Sequence, residues 1–200
     1  MVVKKIAVLF SGTGSNLVAI LEKLHGKTFG DTKIEVALTL TNKSDAPGIQ
    51  KVRNFGLESV ILEHTKFASR EEFDRALVAK IKEADVDLVV LAGFMRILTP
   101  YFCENVRAIN LHPSLLPLFK GARAIDESFQ SDMQVGGVSV HFVSAELDGG
   151  KIIAQKAFAR KNKTREEGEA KIHEIEHEIL PKTIKKLLVK NQIFCKNSDD

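Results

Sequence analysis

Asn110 and His112 are the residues whose types and spacing first point to chemistry. They stand in Ala108-Ile109-Asn110-Leu111-His112-Pro113-Ser114-Leu115-Leu116-Pro117. The run begins apolar and β-like, and side chains two apart on a strand share one side. Asn110 and His112 therefore face one cleft, with Leu111 turned away. Pro113 has no backbone N–H and ends the strand. An amide N–H and an imidazole N–H aimed at one point suit an oxyanion, and α/β sheets bind ligands at such strand ends. The same residues also fit a turn-capping Asn and a core histidine.

The elements that must position this pair can be read in order. Lys5-Ile6-Ala7-Val8-Leu9-Phe10 has the near-continuous apolar pattern of a strand buried on both faces. It breaks into Ser11-Gly12-Thr13-Gly14-Ser15-Asn16, followed by a helix with Leu17, Val18, Ile20, Leu21 and Leu24 and a stop near Gly26. A strand, a Gly-containing turn and a helix N-terminus form an anion cradle, or a tight turn capped by Ser15 or Asn16. Leu17 stands where a dinucleotide motif has its third Gly, and the second strand (34–40) ends in Thr41-Asn42 rather than an acid. The loop reads as a monophosphate cradle.

Pro47 opens a short helix that Gly56 closes, and residues 59–62 form a third strand. Ser69 and Glu72 make a capping box for a helix carrying Phe73, Leu77, Val78 and Ile81. Leu88–Gly93 is a buried strand whose exit, Phe94-Met95-Arg96-Ile97-Leu98, either lines a pocket for a flat ligand or packs under a loop. Thr99 caps a helix begun by Pro100, and another short helix covers 124–129. Val138–Val143 reads as an alternating strand with Ser139 and His141 on one face; His141 is either half-exposed or catalytic. Glu146–Gly150 is a turn, 152–155 the last strand, and 164–190 one long helix that Pro181 should kink. The tail 191–200 is read as an edge strand that frays.

Composition excludes several classes. The net charge of +3 is spread over 29 basic and 26 acidic residues, too weak for a nucleic-acid surface. The two cysteines, Cys103 and Cys195, have no ligand-like spacing, so neither a disulfide framework nor a metal site is expected. No apolar run approaches the ~18 residues of a membrane span, and no signal peptide is visible at the N-terminus. The expectation is a soluble cytoplasmic α/β domain over residues 1–200. Its three layers are an open, mostly parallel sheet with helices on both faces, Rossmann-like.

With these motifs in view, the chain resembles the glycinamide ribonucleotide formyltransferases, formyltetrahydrofolate-dependent enzymes of purine synthesis. The resemblance rests on Ser11–Asn16, on Leu91-Ala92-Gly93-Phe94-Met95-Arg96-Ile97-Leu98, and on Asn110–Pro117. Ser139–Val143 with Leu147-Asp148-Gly149-Gly150 completes it. It implies Asn110, His112 and Asp148 as a catalytic trio, with Asp148 holding the imidazolium and relaying a proton. It implies Gly12, Thr13, Gly14, Ser15 and Asn16 for the substrate phosphate and Glu176 for its ribose. Met95, Arg96, Ile97, Leu98, Ala145 and Glu146 would surround the pterin, and Arg70 would meet the glutamate tail. The ribonucleotide site then lies in the N-terminal half, with the folate and catalytic site in the C-terminal half. Formyltetrahydrofolate is the implied cosubstrate, with no metal, no nucleic acid and no membrane, in a monomer or homodimer. One departure is Arg123, where this family usually has His.

Three other readings compete. A formyltetrahydrofolate deformylase is expected to carry an added N-terminal domain, and a methionyl-tRNA formyltransferase an added C-terminal one. A phosphate-ligand sensor would need no trio.

Overall fold

A computed structural model describes residues 1–189; the proposed tail strand and Cys195 lie outside the described residues. Among the described residues eight strands form one sheet, ordered β2 (Lys27–Phe29), β3 (Thr32–Thr41), β1 (Val2–Phe10), β5 (Leu88–Leu91), β6 (Ala108–His112), β7 (Val135–Phe142) and β8 (Ile152–Ala159), with β4 (Ser59–Ile61) also pairing β3. β1, β3, β4, β5 and β6 pair in parallel. β7 and β8 continue the sheet antiparallel. The mostly parallel α/β architecture expected from the sequence is the one observed.

The sheet is covered on both faces, which is why its central strands are uninterrupted apolar runs. Ile6, Val8, Phe10, Ile109 and Leu111 pack with α1 (Ser15–Leu24) and α6 (Arg165–Val189). Ala7, Leu9, Val89, Leu91 and Ala108 pack with α3 (Arg70–Glu83) and α4 (Pro100–Asn105). Strand parity decides the rest. Leu111 is buried toward α6, so Asn110 and His112 turn to the α3/α4 side. There Ala108 is covered, whereas Asn110 and His112 line a cavity.

Several elements differ from the sequence reading. β2 (Lys27–Phe29), a short antiparallel edge against the start of β3, has no apolar signal of its own. α2 is Gly48–Arg53, shorter at both ends than the Pro47–Phe55 span. α5 is Ala124–Gln130, and β8 extends four residues past Gln155. α1 has no side-chain cap: Gly14, at φ 69°, occupies the N-cap position. α6 continues through the buried Pro181. β7 does not alternate, because Gly136 to His141 are buried throughout.

Ser69 caps α3 as expected, its Oγ accepting from Glu72 N, while Glu72 reaches back to Ala68 N rather than to Ser69. Thr99 caps nothing with its side chain. Instead its N–H and Oγ1–H both donate to Asp74 Oδ2, at 2.6 and 2.7 Å. Asp74 is 1% exposed, so this contact pins α4 and the end of the 94–98 segment to α3. Phe73 beside it stacks on Phe94, with centroids 6.5 Å apart, and lies under the Arg96 guanidinium. Asp74→Ala strands the Thr99 donors and should cost about 2 kcal/mol. Ser69→Ala removes only an exposed cap and should cost about 1 kcal/mol. Urea denaturation of both variants checks the order.

Candidate functional site

Asp148 is the centre of the strand-end cluster. Its side chain is 8% exposed, and its backbone is left-handed at φ 48°. β6 supplies two of its partners: Asn110 Nδ2–H donates to Oδ1 at 3.3 Å, and His112 Nδ1 lies 3.4 Å from Oδ2. β7 supplies a third, His141 Nε2, 3.5 Å from Oδ1. The loop after β6 supplies the fourth, as Gly121 N–H donates to Oδ2 at 2.8 Å.

The far ring nitrogens of both imidazoles face carbonyl oxygens. A carbonyl only accepts. His112 Nε2–H therefore donates to Phe119 O at 2.7 Å, and His141 Nδ1–H to Phe142 O at 2.8 Å. With Nε2 carrying a hydrogen, His112 meets the Asp148 carboxylate attractively only when Nδ1 is protonated too. His141 Nε2 faces the Asn110 amide at 3.2 Å as well as Asp148. Burial pushes the Asp148 carboxyl up, but the His141 and Gly121 hydrogen bonds and the two imidazole charges outweigh it and hold its pKa at about 2.

His141 is the residue sequence reasoning left ambiguous and the trio omits. It is 2% exposed, not half-exposed. The signal lies in register: His141 is the cross-strand partner of Asn110, and Ser139 of His112. Two neighbouring rows thus point one way, but a pairing partner is not written in either strand alone.

The cluster opens onto a cavity of about 330 Å³ lined by residues 93–98, 110–113, 121–122 and 143–148. Met95, Arg96, Ile97, Leu98, Ala145 and Glu146 all line it; Arg70 does not, standing exposed at the start of α3. Met95, Ile97 and Leu147 expose apolar side chains at the cavity. Arg96 Nε is buried without a hydrogen-bond partner, a donor left for an acceptor on a ligand. An apolar slot with a few fixed polar groups fits a flat heterocycle. Arg123 is exposed at the boundary of α5.

The Gly12–Asn16 loop lies outside that cavity but is fastened to it. Ser11 N–H donates to Gly93 O, and Met95 N–H to Ser11 Oγ, at 3.0 and 2.8 Å. Gly12 and Thr13 are exposed, and Gly14 is buried against Gly48 Cα, which an added Cβ would approach to 3.0 Å. The first turn of α1 leaves N–H groups without helical partners. Glu176, 5% exposed, accepts from Asn16 Nδ2 at 3.0 Å, so α6 joins this loop. Among the described residues no His, Cys, Asp and Glu cluster could hold a metal ion, and no helix is long and apolar enough to cross a membrane.

The whole chain is similar to known proteins of one kind. The family described as "Formyl transferase" matches residues 4–184. The chain is 39% identical to a trifunctional purine biosynthetic protein adenosine-3 of Gallus gallus, over 88% of this chain but only 18% of that protein. It thus spans about a fifth of the length of such relatives. It is 35% identical to a Bacillus subtilis phosphoribosylglycinamide formyltransferase, over 92% of this chain and 95% of that one. The solved phosphoribosylglycinamide formyltransferase of Campylobacter jejuni subsp. jejuni superposes with a TM-score of 0.91 at 62% identity. That match covers 92% of this chain and 97% of the other.

The acid stability of the protein reports on the cluster. The Asp148 pKa falls from 3.8 unfolded to about 2 folded, so its ionisation stabilises the fold above the unfolded value. That contribution is lost as pH falls through the folded value. Parent stability relative to Asp148→Asn should therefore drop by about 2 kcal/mol between pH 5 and pH 2. Urea titrations at each pH measure it, and a constant difference would place the carboxylate outside the cluster.

Proposed function

The chain belongs to the formyl transferase family, and on that premise we propose that it moves the formyl group of formyltetrahydrofolate to the amine of glycinamide ribonucleotide, in cytoplasmic purine synthesis. The observation that carries the reading is one buried carboxylate held by Asn110, His112 and His141 at the wall of an apolar cavity.

Attack of the amine on the formyl carbon puts negative charge on the formyl oxygen. Asn110 and the His112 imidazolium are the donors for that oxygen, and a donor in a dry site contributes roughly 3 kcal/mol to a transition state. Their N–H groups are engaged with Asp148 and Phe119 O, so the oxygen takes over one of these bonds. Asp148, ionised across the physiological range, accepts the proton leaving the attacking nitrogen. The proton passes, through water, to the folate nitrogen that departs. Neither Ser nor Cys need act as a nucleophile.

The binding residues divide between the halves of the chain. Backbone N–H groups of Gly12 to Asn16 and the α1 N-terminus suit the ribonucleotide phosphate. Glu176, held by Asn16, is the proposed acceptor for a ribose hydroxyl. Residues 95–98, Ala145 and Glu146 enclose the pterin, with Arg70 left for the glutamate tail outside the cavity.

Purified protein should transfer formyl only when glycinamide ribonucleotide is present. Release of formate without it would mark a hydrolase instead. Asp148→Asn keeps the side-chain shape and should lower kcat at least ~100-fold with both substrates still bound. An active variant removes the carboxylate from the chemistry. Gly14→Val strains a left-handed backbone and blocks approach to the loop. Calorimetry should show weaker ribonucleotide binding and unchanged folate binding; equal losses of both would contradict a phosphate role.

A further inference from the structure

The loop between β6 and α5 carries two atoms of the cluster, Phe119 O on His112 and Gly121 N on Asp148. What fixes that loop is a hydrogen-bond hub on the adjacent strands. Ser139 pairs across with His112 on one side and with Gln155 on the other, so the three side chains form one row over β6, β7 and β8.

Ser139 is fully buried, and its hydroxyl is saturated. It donates to Ser114 O at 2.7 Å and accepts from Leu116 N at 3.0 Å and from Gln155 Nε2 at 2.8 Å. Gln155 Nε2 also donates to Leu116 O, at 3.0 Å. Ser114 in turn donates its Oγ–H to Leu118 O at 2.6 Å, with Phe119 O at 3.4 Å. An unbroken chain of polar contacts therefore runs from Gln155, on the outermost strand, to the carbonyl that holds His112. Nothing in this chain touches the cavity: Ser139 and Gln155 are absent from its lining.

We propose that Gln155 and Ser139 are positioning residues for the formyl-transfer reaction, bracing the 114–121 loop so that Phe119 O and Gly121 N hold the His112–Asp148 pair in reactive geometry. This rests on the functional reading above. The physical reason lies in the part of the loop around Phe119. Leu118 is exposed, and the backbone of Phe119 is left-handed at φ 53°, a conformation that a non-glycine residue keeps only when its neighbours enforce it. Ser139 offers one donor and two acceptors, and all three are used on the loop or on Gln155, so no other side chain of the row can replace it.

The remote end is the best place to test it. Gln155 is exposed on β8, so Gln155→Met should fold; it keeps the length of the side chain but removes both donors. Parent, Gln155→Met, Ser139→Ala and Asp148→Asn are compared side by side. Gln155→Met should lower kcat roughly fivefold to tenfold, Ser139→Ala more, with KM for each substrate within about twofold of parent.

Two further readouts separate bracing from general destabilisation. Hydrogen exchange at the Gly121 amide should quicken at least tenfold in Gln155→Met, while amides of β1 stay protected. The acid limb of the kcat profile should also move up, because Asp148 loses a hydrogen bond that lowers its pKa. The other ionisable groups facing Asp148 are His112 and His141, which these variants leave in place; Lys120 and Glu146 nearby are paired with each other. A Gln155→Met enzyme with parental kcat, or parental exchange at Gly121, overturns the proposal. If Asp148→Asn is itself active, the catalytic reading fails first and the brace falls with it. An inactive Asp148→Asn beside a parental Gln155→Met rejects the brace alone.

Discussion

A carboxylate taken out of water must be met by donors, or it will not remain charged. That constraint on Asp148 organises the site. Its partners come from three places in the chain: β6, the loop that follows it and β7. None can move without leaving the others uncompensated. Asp148 also sits in a left-handed backbone conformation that Asp tolerates better than most residues. The turn that presents it thus carries its own small strain, offset by the contacts it makes.

Sheet topology turns this local demand into a reaction geometry. β1, β5 and β6 are adjacent and parallel, so the loops leaving β1 and β5 emerge side by side. Two hydrogen bonds at Ser11 tie the Gly12–Asn16 loop to the segment lining the cavity. Parity then aims Asn110 and His112 into that cavity rather than at α6. A register slip of one residue in β6 would exchange them for Leu111 and destroy both core and site. The same register therefore sets both the core and the wall of the cavity.

The sequence disclosed the parts with local signals. Strand parity around Asn110 and His112, the Ser69 capping box and the gapped glycines after β1 all follow from neighbours within a few positions. What it concealed depends on pairing. His141 looks like an ordinary strand residue until β7 is laid antiparallel to β6, where it pairs with Asn110 and is buried. Thr99 has the composition of a cap, yet a buried Asp74 on another helix claims both its donors. The short β2 and the full length of β8 are edge elements, where weak patterning is the rule. Arg70 was placed by resemblance alone; it stands exposed at the start of α3, outside the cavity, and no local pattern marks it.

The account stands or falls on whether the strand-end donors act on the formyl oxygen as charge develops. Single-turnover formyl transfer by Asn110→Ala, with both substrates saturating, isolates that step from binding. The account predicts a rate roughly a hundredfold below the parent, with unchanged affinity for either substrate. A rate near the parent's would contradict it, and would leave Asn110 as a residue that merely completes the shell of Asp148.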